Sequence, residues 1–100
     1  MNYAINPLEI YKLVNKDVYL VDIREYNDFR HLHIKNFVNI PYPQFSQHTY
    51  LPKNKAIYII CQYGQKAKQL CQYLRQNHYD AYYIDGGFQA FLNLPSQKYY

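Results

Sequence analysis

Glycine and cysteine are scarce in this sequence, and tryptophan is absent: the 100 residues include three glycines and two cysteines. Two cysteines are too few for the disulfide framework of a small secreted domain. No apolar stretch is long enough to cross a bilayer, and the N-terminus lacks the basic and then apolar pattern of a signal peptide. We therefore expect a cytoplasmic protein with no membrane partner.

Clustered positive charge is also missing, although the formal net charge is +4 and the pI is about 9.0. The eleven Lys and Arg residues are spread singly along the chain. Nucleic-acid binding normally requires a basic face or a recognisable reading motif, and neither is present, so we expect no nucleic-acid partner. A weak positive field does suit a small anionic substrate.

The chain does contain enough apolar residues to fold, since 49% of it is hydrophobic and 18% is charged. Its length and composition predict one compact domain over residues 1–100. Short apolar strands alternate with helical patterns, which predicts an α/β fold whose central, mostly parallel sheet of about five strands has helices on both faces. The predicted strands are 3–5, 18–23, 37–40, 56–60 and 81–84, and the predicted helices are 7–14, 24–29, 66–75 and 88–92, with a helical turn at 44–48.

The sequence predicts where the first helix begins and which residues of the first and third helices are buried. Asn6 as N-cap and Pro7 at the first helical position predict where the first helix begins. In the third helix, the i, i+3, i+4, i+7 spacing predicts a buried face that includes Cys71 as a core residue. The predicted buried faces are Leu8, Tyr11 and Val14 in the first helix, and Ala67, Leu70, Cys71 and Leu74 in the third.

The most informative segment follows the clearest strand, where Cys61 begins a polar loop that leads into a helix. Ligands of open α/β sheets bind at the carboxyl ends of the strands. Inward-facing loop amides, together with the first unpaired amides of the helix, would attract anions and stabilise a thiolate. Gly64 suits such a loop, either to adopt an unusual backbone angle or to clear the substrate's path. The pattern alone also allows Cys61 to be a small hydrophobic core residue.

Four stretches of the sequence resemble, in the correct order, motifs of the rhodanese-like sulfurtransferase family. CQYGQKA at 61–67 resembles the active-site loop C-x-x-G-x-[R/K]-[S/A] of that family. VDIREYNDF at 21–29 resembles its D-x-R-E segment, and LHIKNFVNIP at 32–41 resembles G-H-I-x-G-A-x-N-I-P. IDGGFQAF at 84–91 is similar to D-G-G-x-x-x-W. The resemblance extends over residues 5–95, so each match supports the others.

The resemblance implies an enzyme similar to the thiosulfate:cyanide sulfurtransferases, with the Cys61 thiolate as its catalytic nucleophile. Cys61 would attack the outer sulfur of thiosulfate or glutathione persulfide, carry it as a persulfide, and pass it to a thiol or to cyanide. The resemblance implies no cofactor, and we expect a monomer or weak dimer. The loop residues that would bind substrate and hold the persulfide charge are Gln62, Tyr63, Gly64, Gln65, Lys66 and Ala67.

Alternatives to this function fall into three classes. A non-catalytic rhodanese-like binding or regulatory module remains open, and so does a persulfide relay between proteins, with a protein sulfur donor. The third alternative is a cysteine phosphatase, and such enzymes use the spacing C-x5-R. Here the basic residue, Lys66, comes one position earlier, and the smaller ring that the loop forms favours a sulfur atom over a phosphoryl group. His31 and His33 form H-x-H, but no zinc-like spacing accompanies them, so we expect no metal.

Several positions depart from the family pattern or have structural roles within it. Asn36 and Asn93 replace glycines of the family, and asparagine tolerates the left-handed region well enough to keep such turns. Lys66 replaces the commoner arginine, so a compact ammonium group takes the place of a planar guanidinium group. The resemblance makes Asp22 and Arg24 structural, and Gly86 and Gly87 a tight turn beside the cysteine loop. We interpret Glu25 as a charge at a helix start.

Overall fold

A five-stranded parallel sheet organises the computed structural model of the chain, which describes residues 2–47 and 50–95. The strands run across the sheet in the order β1-β5-β4-β2-β3, so β4 lies at the centre. This arrangement confirms the predicted fold class. The strands are β1 (Ala4–Ile5), β2 (Tyr19–Asp22), β3 (Val38–Asn39), β4 (Ile57–Ile60) and β5 (Ala81–Ile84).

Helices connect the strands, as parallel neighbours require. None of the helices in the described ranges combines the length and apolar character that a membrane span needs. The predicted turn at 44–48 is part of a 3-10 segment at Tyr42–Gln47, and position 48 lies outside the described residues. The helices are α1 (Ile10–Leu13), preceded by a 3-10 turn at Pro7–Glu9, then α2 (Tyr26–His31), α3 (Gln65–Gln76) and α4 (Gly87–Leu92).

The two faces of the sheet are covered by different helices. The twelve-residue α3 packs on one face with the apolar positions that its periodicity predicts, and α1 and α4 pack on the other. Ile57, Ile59 and Ile60 of β4 are fully buried because this strand has a layer on each side. The α3 face buries Val21, Ile57, Ile59, Ala67, Leu70, Cys71 and Leu74, and the α1 and α4 face buries Ile10, Leu13, Leu20, Ile60, Ile84, Phe88 and Phe91.

The first helix begins where it is predicted to begin, and two of the three residues predicted for its buried face contact the core: Val14 is buried, and Tyr11 packs partly buried against the core. The Asn6 side chain accepts a hydrogen bond from the Leu8 amide at 2.9 Å, which confirms the N-cap. Leu8, however, is 51% exposed, while Ile10 and Leu13 are buried. The prediction for Leu8 was wrong because the first turn is a 3-10 turn with three residues per turn, which rotates the later residues relative to an α-helix.

The asparagines that replace family glycines behave differently from one another. Asn36 has φ of 71°, so it adopts the left-handed conformation, and its Nδ2 donates to the Val14 carbonyl at 2.6 Å. This confirms the expectation at Asn36. Asn93 follows α4 with φ of −83°, so that turn does not require a left-handed residue.

A buried ion pair at the end of β2 contacts both α2 and α4. Arg24 Nη2 lies 2.9 Å from Asp22 Oδ2, with exposures of 5% and 1% for the two side chains. Arg24 also donates to the Leu32 carbonyl at 2.6 Å, and its guanidinium lies over the Phe88 ring at 3.9 Å from the centroid. The pair therefore fixes the end of α2 and the start of α4 relative to the sheet, as a structural role requires.

Replacing Arg24 with Met is expected to lower the free energy of unfolding by about 3–5 kcal/mol, since the Asp22 carboxylate would remain buried without its partner. Adding Asp22→Asn removes the buried charge but keeps an oxygen that can accept the amide of residue 24. The double variant should therefore be more stable than Arg24→Met alone. Urea denaturation at neutral pH measures both, and equal stabilities would contradict this explanation.

Candidate active site

Cys61 lies directly after β4, at the carboxyl edge of the sheet, and is 6% exposed. The backbone amides of Gly64 and Ala67 donate to its Sγ, at 3.1 and 3.3 Å. The Gly64 amide belongs to the loop and the Ala67 amide to the first turn of α3. Sγ is therefore an acceptor held by two fixed donors, a setting that favours negative charge on sulfur.

Further amides of the same loop have no partner within the described ranges. In the chain from Gln62 to Lys66, the four amides other than that of Gly64 make no backbone or side-chain hydrogen bond there. The amides of Gln65 and Lys66 are free because they precede the first intrahelical bond of α3, from Lys68 to the Gly64 carbonyl at 3.0 Å. The loop thus offers a group of unpaired N–H donors beside the sulfur.

The orientation of the loop depends on α4. The amides of Phe88 and Gln89 donate to the carbonyls of Cys61 and Gln62, at 2.8 and 3.0 Å. A carbonyl and the next residue's N–H point in opposite directions across a trans peptide. Since the Cys61 and Gln62 carbonyls point toward α4, the N–H groups of Gln62 and Tyr63 point away from it.

Two glycines make this approach of α4 to the loop feasible. Gly64 has φ of 98°, and a Cβ there would lie 3.0 Å from the Gly86 amide nitrogen. Of the two explanations for Gly64, the structure supports the unusual backbone angle. Gly87 has φ of 67°, and a Cβ there would collide with the Cys61 carbonyl oxygen and lie 2.8 Å from the Gln62 backbone. The prediction that Gly86 and Gly87 form a tight turn beside the loop is confirmed.

A cavity of about 380 Å³ opens in front of this loop. Of the predicted site residues, Gly64 and Ala67 reach the sulfur through their amides and do not line the cavity. The other five line it: Cys61, Gln62, Tyr63, Gln65 and Lys66.

The remaining walls of the cavity were not predicted from the sequence. These come from the segments that follow β2 and β3, the strands on one side of β4: the β2–α2 connection, the first turn of α2 and the 3-10 segment. The general location of ligands at the carboxyl ends of neighbouring strands could have identified them. Glu25, interpreted from the sequence as a helix-start charge, is among them, and it does directly precede α2. The additional lining residues are Ile23, Arg24, Glu25, Asp28, Tyr42 and Pro43.

Charges around the cavity have both signs. The Lys66 ammonium lies 5.5 Å from the centroid of the Tyr42 ring, a cation–π arrangement that keeps it at the cavity wall. Glu25 and Asp28 bring exposed carboxylates to the same cavity. Arg24 also lines it, but its guanidinium is occupied by Asp22 and Leu32.

A second, larger cavity of about 820 Å³ lies between α3 and the 3-10 segment and shares Tyr42 and Pro43 with the first. Its described lining includes Lys53 and His78 but neither cysteine. Within the described ranges, no three His, Cys, Asp or Glu side chains gather as a metal-binding group. His33 instead stacks on Phe29, and its Nδ1 lies 2.8 Å from the Phe29 carbonyl oxygen.

Cys71 is in a different environment from Cys61. It is 1% exposed, and its thiol donates to the Ala81 carbonyl at 3.3 Å. Burial raises the pKa of the Cys71 thiol, against the opposing effect of nearby Arg75. The unfolded chain therefore loses this proton at a lower pH than the folded chain, so the contribution of Cys71 to stability declines as pH rises above the ordinary thiol range.

The fold and the loop together define a class of protein: an α/β domain with a cysteine beside a group of backbone amides at the end of its central strand. The chain belongs to the rhodanese-like domain family, whose model matches residues 6–94. This confirms the family resemblance found in the sequence.

Individual relatives support the same assignment. The thiosulfate sulfurtransferase GlpE of Vibrio cholerae is 33% identical over 86 residues, which cover 80% of this chain and 79% of GlpE. The protein YqhL of Bacillus subtilis is 35% identical over 72 residues, which cover 70% of this chain and 57% of YqhL. The crystal structure of reduced Bacillus anthracis CoADR-RHD superposes with a TM-score of 0.83 at 31% identity, over 90% of this chain but only 16% of that one.

Replacing Gly87 with Ala is expected to destabilise the protein by at least about 1–3 kcal/mol and to disturb the loop, because the new methyl group collides with the Cys61 carbonyl. Thermal unfolding measures the first effect. Amide NMR signals of Gln62 and Ala67 measure the second. Gly86→Ala is the matched control, since its φ of 74° is similar but its methyl would meet the Ala90 side chain. Equal chemical-shift changes of these loop amides in both variants would contradict the role given to Gly87.

The two thiols are expected to differ in their reactivity toward iodoacetamide at mildly alkaline pH. Cys61 should be alkylated in the native protein, whereas Cys71 should react only after unfolding, because it is buried and its pKa is raised. Mass spectrometry with peptide mapping counts the labels. Cys61→Ser is the control and should take up no label while folded. Labelling of Cys71 in the native protein would contradict the assignment.

Proposed function

We propose that this protein is a sulfurtransferase that carries a sulfane sulfur as a persulfide on Cys61. The observation that carries the proposal is the environment of Cys61 Sγ, which accepts two backbone hydrogen bonds and faces a cavity, next to four amides that have no partner among the described residues. Fixed amides stabilise an anion without reorganisation at the moment of reaction. They can hold the thiolate before transfer and the terminal sulfur of the persulfide after it.

The reaction balances without a cofactor. With thiosulfate, the Cys61 thiolate attacks the outer sulfur, a new sulfur–sulfur bond forms at Cys61, the bond to the sulfite sulfur breaks, and sulfite leaves with the electron pair. A nucleophilic acceptor, such as cyanide or a thiolate, then attacks the terminal sulfur of the Cys61 persulfide and releases the thiolate. The charge is the same on both sides of each step, and no separate base is required once the thiol is ionised.

The other predicted substrate-binding residues have distinct proposed parts in this reaction. Gly64 and Ala67 hold the sulfur through their amides, and Gln62, Gln65 and Lys66 present amides or side chains to the donor. The name of the V. cholerae relative, thiosulfate sulfurtransferase, supports the reaction type. The sequence has too few cysteines for a disulfide framework, which favours a reducing compartment such as the cytoplasm as the place of the reaction.

Incubation of the wild-type protein with thiosulfate or a small persulfide is expected to add the mass of one sulfur atom, located on Cys61. Cys61→Ser should remove this adduct and lower thiocyanate formation from cyanide by about 1,000-fold or more, because the nucleophile is lost. Intact-protein mass spectrometry and a colorimetric thiocyanate assay measure the two effects.

Cys71→Ala is the matched control for this experiment, since it removes the other thiol from the core without touching the cavity. It should keep the adduct and most of the activity. If the folded wild-type protein stays unmodified by thiosulfate and by every persulfide tested, the proposal fails and a non-catalytic binding module becomes the better explanation.

A further inference from the structure

The charged side chains that line the cavity can select which sulfur donor the protein accepts. This inference rests on the proposed function. Three exposed charged side chains line the cavity: Glu25 and Asp28 from the β2 side, and Lys66 from the β4 side. Arg24 adds no available cation, because Asp22 and Leu32 accept its hydrogen bonds. A donor therefore meets two carboxylates and one ammonium.

The two carboxylates are available to a ligand. Within the described ranges, the side chains of Glu25 and Asp28 make no hydrogen bond and no ion pair. Glu25 precedes α2 without a side-chain capping bond. Neither carboxylate is therefore neutralised or turned away by a neighbour. The Lys66 ammonium, in contrast, is kept at the wall of the cavity by the Tyr42 ring.

Thiosulfate is a poor match for this set of charges. It is a dianion, so one ammonium attracts it while two carboxylates oppose it. It is also small, whereas a cavity of about 380 Å³ falls within the range of cavities that bind organic ligands of moderate size. The overall charge of +4 attracts anions to the protein, but the local charges at the cavity do not favour a compact dianion.

We propose that Glu25 and Asp28 determine donor specificity by binding the ammonium group of an amino-acid or small-peptide persulfide, whose carboxylate contacts Lys66. Such a zwitterionic donor places opposite charges where the cavity has opposite charges. The Cys61 thiolate attacks the outer sulfur of the donor R–S–SH, the sulfur–sulfur bond of the donor breaks, and the thiolate R–S⁻ leaves. The product is the Cys61 persulfide, and no external oxidant or reductant takes part.

Two donors that differ by one ammonium group test this proposal. Cysteine persulfide carries the ammonium, and 3-mercaptopropionate persulfide lacks it but has the same carboxylate. Wild-type protein is expected to react with cysteine persulfide about 5-fold faster in kcat/KM, in line with the modest strength of exposed ion pairs. The variant with Glu25→Gln and Asp28→Asn should lose this preference and should react about 3-fold faster with thiosulfate, because repulsion is relieved.

Matched controls separate local from general charge effects. Glu9→Gln removes an exposed carboxylate that does not line the cavity, and it should change neither the preference nor the thiosulfate rate. Lys66→Gln should slow both carboxylate-bearing donors, whereas Lys68→Gln, on an exposed position of α3 outside the cavity, should not.

The outcomes distinguish this inference from the proposed function. If Cys61 accepts sulfur but the wild-type protein does not distinguish the two persulfides, the specificity inference is overturned and the sulfurtransferase proposal stands. Opposite changes for thiosulfate and cysteine persulfide in the Glu25 and Asp28 variant support the inference. Parallel changes for both donors overturn it. If no donor modifies Cys61 in folded protein, the proposed function fails first.

Discussion

Two backbone hydrogen bonds, from Phe88 and Gln89 to the carbonyls of Cys61 and Gln62, are the constraint on which the candidate site depends. They turn the carbonyl side of the loop toward α4, and the planar trans peptide then turns the following N–H groups the other way. The buried guanidinium of Arg24 lies over the Phe88 ring and supports the same helix start. The amide donors are thus positioned by the rigid packing of the fold, and the loop does not have to rearrange to receive an anion.

The sequence predicted the fold well wherever local pattern and burial agree. The apolar residues of β4 and α3 follow clear patterns, because a central strand needs apolar residues on both faces and a long surface helix needs one apolar stripe. The short first helix was harder to predict. Its N-cap, Asn6, acts locally and was predicted, but the exposure of Leu8 depends on a 3-10 turn that the spacing of apolar residues does not reveal. Asn93 likewise needed no left-handed angle, since the chain leaves α4 in a right-handed turn.

The candidate site was predictable as far as it lies in one continuous segment. The loop from Cys61 to Ala67 follows from its own residues and from the family resemblance, and the catalytic role of Cys61 stays a prediction. The carboxylates of Glu25 and Asp28 and the ring of Tyr42 reach the same cavity from distant parts of the chain. Only the strand order β4-β2-β3 brings those parts together, and strand order is a property of the whole sheet, not of any segment.

The pairing of β1 with β5 has a consequence for how the protein is made. Ala4 and Ile5 are partners of Tyr83 and Ile84, so β1 leaves the ribosome well before β5, the strand that it needs in order to join the sheet. The α4 residues that orient the cysteine loop are synthesised later still. Until α4 has emerged, the cysteine loop therefore lacks the two hydrogen bonds that orient it. The special chemical environment of Cys61 arises only when nearly the whole domain has emerged.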